Sequence, residues 1–284
     1  MGIRDLLKTK KQPLIMGIIN ITPDSFFPLS RKNNIKKGVS AALKMAADGA
    51  DIIDIGGEST RPGSSYIDEQ EELGRVIPIV KEICRSLKLP VSVDTRKSRV
   101  AYEALKAGAV IINDISSMED DPAMAEVVKD AGCDIIVMHK IGDPANMQKD
   151  IVYTDVVAEV YHKLEILTEN AVSKGIDDSR ITIDPGIGFD KKTDDNLAII
   201  NSIAYFKKLG FPVLVGYSRK SFIGAITGKK AEERLAGSLA SGVISLINGA
   251  DILRVHDVKE TSDTIKVVEA FRSFNSNIIS FKEC

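Results

Sequence analysis

The sequence lacks several features, and each absence narrows its class. No stretch approaches the roughly 18 consecutive apolar residues of a membrane span, and residues 1–13 carry lysines with no apolar run of signal-peptide length behind them. The three cysteines, Cys84, Cys133 and Cys284, show no paired or CxxC spacing. That argues against a disulfide framework or a zinc site and leads us to expect a cytoplasmic protein. Neither sign of charge is in excess: 38 Lys and Arg against 40 Asp and Glu give a net charge of −2. A broad basic field for nucleic acid is therefore not expected, although a local anion site remains compatible. No Pro/Gly/Ser tract, charge block or low-complexity segment marks a linker, so residues 1–284 read as one domain.

The remaining composition, 44% hydrophobic and 27% charged, is that of a globular protein with a sizeable core. Within it a short phrase recurs: Asp48-Gly-Ala-Asp-Ile-Ile-Asp54, Ala107-Gly-Ala-Val-Ile-Ile-Asn113, Ala131-Gly-Cys-Asp-Ile-Ile-Val-Met-His139 and Asn248-Gly-Ala-Asp-Ile-Leu-Arg254. A helix-ending glycine, a β-branched run and a closing polar residue describe the step from a helix into a strand buried on both faces. Eight such strands are expected near 13–19, 51–54, 91–93, 110–113, 134–138, 181–184, 213–216 and 251–255. Helices are expected between them, among others Asn34–Asp48, Glu69–Leu87, Lys97–Ala107, Asp155–Lys174, Asn196–Leu209 and Glu232–Asn248. Strict alternation with short connections predicts parallel βαβ units. Eight units predict a single (β/α)8 TIM barrel of class α/β; an open doubly wound sheet is the alternative.

The segments Asn20–Asn34, Gly56–Asp68 and His139–Tyr153 follow strands and belong to the C-terminal rim, where barrel active sites are built. The strand ends carry Asn20, Asp54, Asp94, Asn113, His139 and Asp184, then Lys220 just beyond Gly216, and finally Arg254 with His256. Polar residues at one strand end are unremarkable; at all eight they converge on one rim. Carboxylates and an amide can accept from the adjacent N–H groups of a flat heterocycle, while Lys220, Arg254 and His256 suit ring carbonyls or phosphate. A lone histidine such as His139 reads as structural, and Asp54 as an orienting or loop-anchoring group. Gly186 and Gly188 read as turn devices after Asp184.

Seven segments in order resemble the dihydropteroate synthase family. They are Met16-Gly-Ile-Ile-Asn-Ile-Thr-Pro-Asp-Ser-Phe26, Asp54-Ile-Gly-Gly-Glu-Ser-Thr-Arg-Pro-Gly63, Val91-Ser-Val-Asp-Thr-Arg96, Ile112-Asn-Asp-Ile115, Asp184-Pro-Gly-Ile-Gly-Phe189, Ser218-Arg-Lys-Ser-Phe222 and Arg254-Val-His256. The resemblance implies a barrel transferase of folate synthesis, commonly a homodimer and a sulfonamide target. Such an enzyme joins 6-hydroxymethyl-7,8-dihydropterin pyrophosphate to 4-aminobenzoate and releases pyrophosphate. Carried onto this sequence, it places Asp94, Asn113, Met138, Asp184 and Lys220 on the pterin. Asn20, Arg254 and His256 fall on the pyrophosphate, with Mg2+ near Asn20. Thr60, Arg61, Phe189, Lys220 and Ser221 fall on 4-aminobenzoate. Asp94, Lys220, Arg254 and His256 are the implied catalytic set.

The first loop departs from the family pattern. It reads Ser25-Phe-Phe-Pro-Leu-Ser-Arg31, where an aspartate and glycines usually follow the phenylalanine, and Pro28 should stiffen it. Two rivals follow from the same residues. A pterin-binding barrel that transfers methyl groups to a corrinoid would not be expected to carry both Ser59-Thr-Arg-Pro62 and Ser218-Arg-Lys-Ser221. A pterin-binding relative without catalysis would have no need of Arg254 and His256.

Overall fold

The computed structural model describes residues 2–21, 31–58, 66–141 and 152–274, with side chains from residue 35 onward in the second stretch. Eight parallel strands alternate with helices. They are β1 (Leu14–Asn20), β2 (Ile52–Gly56), β3 (Val91–Asp94), β4 (Ile111–Asp114), β5 (Asp134–Met138), β6 (Ile181–Asp184), β7 (Leu214–Val215) and β8 (Ile252–Val255). The hydrogen-bonded order β6-β5-β4-β3-β2-β1-β8-β7 runs around a circle. A parallel bridge between Ile183 and Val213 closes it, with Ile183 N–H donating to the Pro212 carbonyl at 2.9 Å. The chain is a (β/α)8 barrel; the open-sheet alternative fails on this closure.

The helices among the described residues are α1 (Ile3–Lys10), α2 (Arg31–Asp48), α3 (Glu69–Ser86), α4 (Ser98–Ala107), α5 (Met124–Ala131), α6 (Val156–Ser173), α7 (Thr193–Asn201), α8 (Ile203–Phe206), α9 (Ser221–Thr227), α10 (Leu235–Ile247) and α11 (Val258–Phe274). The single helix expected over Asn196–Leu209 is divided at Ser202 into α7, α8 and a short 3-10 turn. Side-chain oxygens cap two of the longer helices. Asp68 accepts from Glu71 N–H at the start of α3, and Asp155 from Val157 and Ala158 N–H at the start of α6.

Successive strand residues face opposite sides, and this alternation sorts the core. Ile53, Ile55, Val91, Val93, Ile112, Ile135, Val137, Ile181, Ile183 and Leu253 point outward into one large cluster with the helices. Leu14, Met16, Ile52, Ile111, Ile136, Leu214 and Ile252 form a separate cluster inside the barrel. Two positions further along the same inward rows stand Asp54, Asn113, Met138 and Arg254. The barrel interior is therefore apolar at its base and polar at its mouth.

The recurring phrase has its own structural consequence at the base. Asp51 accepts from Ile15 N–H at 2.9 Å, and Asp251 from Val213 N–H at 2.8 Å, so each aspartate secures the start of a neighbouring strand. Asp134 accepts from Ile3 N–H and pairs with Arg180. That bond anchors α1, an element without a sequence expectation, which presses Ile3 and Leu6 onto the inner cluster and plugs the barrel floor. Ile3→Ala should lower the unfolding free energy by about 2–4 kcal/mol through the cavity it leaves. A urea melt shifted by less than about 0.5 kcal/mol, the range of ordinary surface changes, would show the plug to be dispensable.

Candidate active site

The polar mouth is organised by Arg254. Its Nε donates to Asp54 Oδ2 and its Nη2 to Asp94 Oδ2, both at 2.7 Å. The three residues come from β8, β2 and β3, and their inward positions bring together groups 160 and 200 residues apart. Asn113 of β4 reaches Asp54 Oδ2 from its amide at 3.5 Å, a weak contact. Asp54 is fully buried, and its second oxygen has no hydrogen-bond partner.

Burial pushes the Asp94 carboxyl up to about 7; the Arg254 charge opposes this rise and Asp54 adds to it. Burial also raises Asp184, against the pull of the Gly186 N–H and of the Lys220, Arg254 and Lys191 charges. Lys220, at the start of α9, is lowered by burial to about 8, with Asp184 opposing. Burial works against the Arg254 cation as well, but Asp54 and Asp94 outweigh it and its pKa rises. The mouth therefore holds one carboxyl, Asp94, and one lysine, Lys220, that can exchange protons near neutral pH.

Lys220 Nζ stands 4.0 Å from the centroid of the Phe189 ring, a cation–π contact. Phe189 packs with Ile115 and Met138 in a small apolar cluster of its own. This gives the mouth a flat apolar face beside its polar one. The turn bearing Phe189 requires Gly186 and Gly188, with φ of 72° and 79°. A Cβ on Gly188 would stand 2.6 Å from Lys220 Cδ. Glycine there is a condition for the lysine's position.

After β8, His256 Nδ1 lies 3.1 Å from Ser218 Oγ, and its backbone N–H donates to the same oxygen at 3.2 Å. Asn20 ends β1 in register with Gly56. Ser221 opens α9 and is exposed. Thr60 and Arg61, like Phe27, Pro28 and Leu29, lie outside the described residues. The residues bordering 59–65 are tied to the end of β3: Arg96 pairs with Glu58 and, at 2.8 Å, with Asp120, and its Cζ stacks 3.9 Å from the Tyr66 centroid. Lys97 Nζ lies 2.6 Å from both Glu58 and Glu72. With Asp94, Thr95 and Ile115, three of these residues line a small cleft beside the mouth.

Residues 16–256 match the pterin binding enzyme family. Dihydropteroate synthase of Bacillus subtilis (strain 168) is 43% identical over 264 residues, covering 93% of this chain and 90% of that one. That of Escherichia coli (strain K12) is 43% identical over 265 residues, covering 93% and 94%. The chain belongs to the dihydropteroate synthase family. As a member it is a transferase of folate biosynthesis. The solved structure of Yersinia pestis dihydropteroate synthase with a sulfonamide drug complex superposes with a TM-score of 0.88 at 40% identity, covering 93% of this chain and 95% of that one. The Xanthomonas albilineans enzyme in complex with 7,8-dihydropteroate gives 0.83 at 38% identity, covering 92% and 94%.

Two residues of this dihydropteroate synthase barrel were not candidate site residues on sequence grounds. Asp54 carries Arg254, a partnership visible only once the barrel closes. Lys191 is a partly buried cation behind the Asp184 turn, and in the run Lys191-Lys192 it resembles a surface lysine. His139, 2% exposed, lies 3.0 Å from Lys191 Nζ, and burial followed by the Lys191 charge pushes its imidazolium down to about 2. His139 is thus a neutral hydrogen-bond partner and not a proton carrier near pH 7. Arg254→Met would leave Asp54 and Asp94 buried without their cation, at a cost of about 3 kcal/mol. The loss should be larger at pH 8 than at pH 5, where the orphaned Asp94 carboxyl can protonate. Denaturant melts giving the same loss at both pH values would count against this pairing.

Proposed function

We propose that the chain condenses 6-hydroxymethyl-7,8-dihydropterin pyrophosphate with 4-aminobenzoate, releasing pyrophosphate and 7,8-dihydropteroate, with the pyrophosphate leaving before the amine attacks. The observation that carries the reading is the layer of inward polar groups at the mouth beside one apolar face. Asp184 and Asn113 offer acceptors, and the amide a donor, for the pterin edge. Lys220 donates to its carbonyl and ring nitrogen. Met138 packs against the ring face. Thr60, Arg61, Phe189, Lys220 and Ser221 take 4-aminobenzoate, the position a sulfonamide would contest.

In the first step the bond from the pterin methylene carbon to oxygen breaks, and its electron pair leaves with the diphosphate. Positive charge develops on the pterin, where the fixed Asp94 carboxylate stabilises it without reorganising. Arg254 and His256 receive the departing anion; Arg254 also holds Asp94 in place. The arylamine lone pair then closes the carbon–nitrogen bond, and its surplus proton passes to solvent. No covalent bond to the protein is required.

Mg2+ fits this arrangement. The Asn20 amide at the end of β1 would hold it through one hard neutral oxygen, with the diphosphate and water as the other donors. When bound, Mg2+ would neutralise charge on the leaving diphosphate. A homodimer is the assembly we favour, because α10 packs on α11 and both expose apolar side chains, Ile244, Ile247, Val267 and Phe271 among them. No helix among the described residues is long and apolar enough to cross a membrane. The cytoplasm is the proposed compartment, as the unpaired Cys84 and Cys133 suit it.

The test is pyrophosphate release by purified protein given both substrates and Mg2+. Release that needs every component and disappears in Lys220→Ala supports the synthase; pterin binding without release points to a non-catalytic relative. Asp94→Asn should lower kcat by about 100-fold, the scale of a lost electrostatic stabiliser, while weakening pterin binding far less. Equal losses in kcat and binding would remove Asp94 from the transition-state role.

A further inference from the structure

The turn between β6 and α7 bears two residues of the proposed site, Asp184 and Phe189, and is braced from behind by a lysine that the reaction does not use. Lys191 Nζ donates to the Phe189 carbonyl at 2.9 Å and to His139 Nδ1 at 3.0 Å. His139 is locked in turn, its backbone N–H donating to the Asp184 carbonyl at 3.0 Å. Gly186 passes so close over this pair that a Cβ would overlap the His139 carbonyl oxygen and stand 3.3 Å from Lys191 Nζ. Asn196 of α7 accepts from Gly188 N–H at 2.6 Å and donates to the Lys191 and Lys192 carbonyls at 3.2 and 2.8 Å.

A line of contacts therefore runs from the Lys191 ammonium through the Phe189 carbonyl to the Phe189 ring, and from the ring to Lys220 Nζ at 4.0 Å. Charge follows a parallel route. Three cations act on buried Asp184: Lys220, Arg254 and Lys191. Lys220 and Arg254 are assigned to substrates, so their charge is engaged when a ligand binds. Lys191, held behind the turn, is the one whose effect on Asp184 does not depend on the ligand.

We propose that Lys191 is a positioning residue for pterin binding: it fixes the Asp184–Phe189 turn through two hydrogen bonds and offsets the charge of Asp184, so that Asp184 meets the pterin as a carboxylate. The proposal rests on the reading of Asp184 as the pterin acceptor. Burial lowers Lys191 to about 7, with Asp190 and Asp184 opposing, so the brace carries its charge most fully below neutral pH. Below neutral is also where Asp184, raised by burial, is nearest to protonation. The titratable and charged groups facing the pair are Asp190 on the turn, Asp195 of α7, His139 at the end of β5, and Lys220 and Arg254 from the ends of β7 and β8. One step removed, Lys140 acts on Asp190, Lys163 on His139, and Tyr153 is near Asp190 and Asp195.

The experiment is calorimetric binding of the pterin pyrophosphate with Mg2+, without 4-aminobenzoate, from pH 6 to pH 8.5. The proteins are wild type, Lys191→Met, Lys191→Gln, Lys191→Arg and Asp184→Asn, each with a thermal melt. Lys191→Met should weaken binding about 10-fold at pH 6, the worth of one charge-assisted hydrogen bond, and less at pH 8.5. Lys191→Arg should recover most of the loss, and kcat at saturating pterin should change less than about threefold, because the residue acts on binding and not on the transition state. Should Lys191→Met fail to fold, Lys191→Gln carries the same test, keeping a donor but no charge. Folded Lys191 variants that bind like wild type at every pH, while Asp184→Asn binds weakly, overturn the inference and leave the reading of Asp184 intact. A loss independent of pH and not recovered by arginine also overturns it. Wild-type binding by Asp184→Asn overturns the reading of Asp184 and the inference with it.

Discussion

At the barrel mouth Arg254 places Nε on Asp54 and Nη2 on Asp94, and much of the site depends on that shared guanidinium. Two carboxylates facing one enclosed space repel each other and are costly to keep ionised; the arginine between them makes the arrangement tolerable. It also fixes where each carboxylate points, and a carboxylate in a fixed place can stabilise positive charge developing on a bound pterin. The same contact settles Arg254 itself, which would otherwise search many rotamers before meeting a diphosphate. Asp54 thus contributes without any assigned contact to substrate, by holding the residue that holds Asp94.

The barrel separates stability from chemistry along its axis. At the base, Leu14, Met16, Ile52, Ile111, Ile136, Leu214 and Ile252 fill the interior and α1 seals it. Asp51, Asp134 and Asp251 satisfy backbone N–H groups at that end. At the mouth the same inward rows turn polar, and Asp54 keeps a buried oxygen without a partner. Unsatisfied buried polar atoms are a cost that a fold bears where ligand or solvent will meet them. Rigid strands hold these groups, and the Asp184–Phe189 turn is braced from behind by Lys191 and His139. Both features suit a reaction whose main demand is preorganised charge.

The alternation of strands and helices was legible because each unit announces itself: glycine ends a helix, and a β-branched run begins a strand. The polar strand ends were legible for the same reason. Helix α1 was not, since eight residues without a strand–helix phrase owe their order to the barrel floor they cover. The partnership of Asp54 with Arg254 spans 200 residues and exists only because β1 lies between β2 and β8 in a closed circle. Lys191 was hidden by its neighbour Lys192: two adjacent lysines look like solvated surface, and only the tight turn at Gly186 turns one of them inward. The first loop, where the sequence departs from the family at Pro28 and Leu29, lies outside the described residues.

The most direct test of the central claim is an NMR titration of 13C-carboxyl-labelled aspartate in the substrate-free protein, with the Asp94 signal assigned by its absence in Asp94→Asn. Burial beside Asp54, incompletely offset by Arg254, predicts a midpoint near 7. The midpoint should move higher in Arg254→Gln, where the opposing cation is gone. A midpoint in the ordinary carboxylate range of about 4, unmoved by Arg254→Gln, would contradict the account. It would mean that Asp94 is neither enclosed nor governed by Arg254.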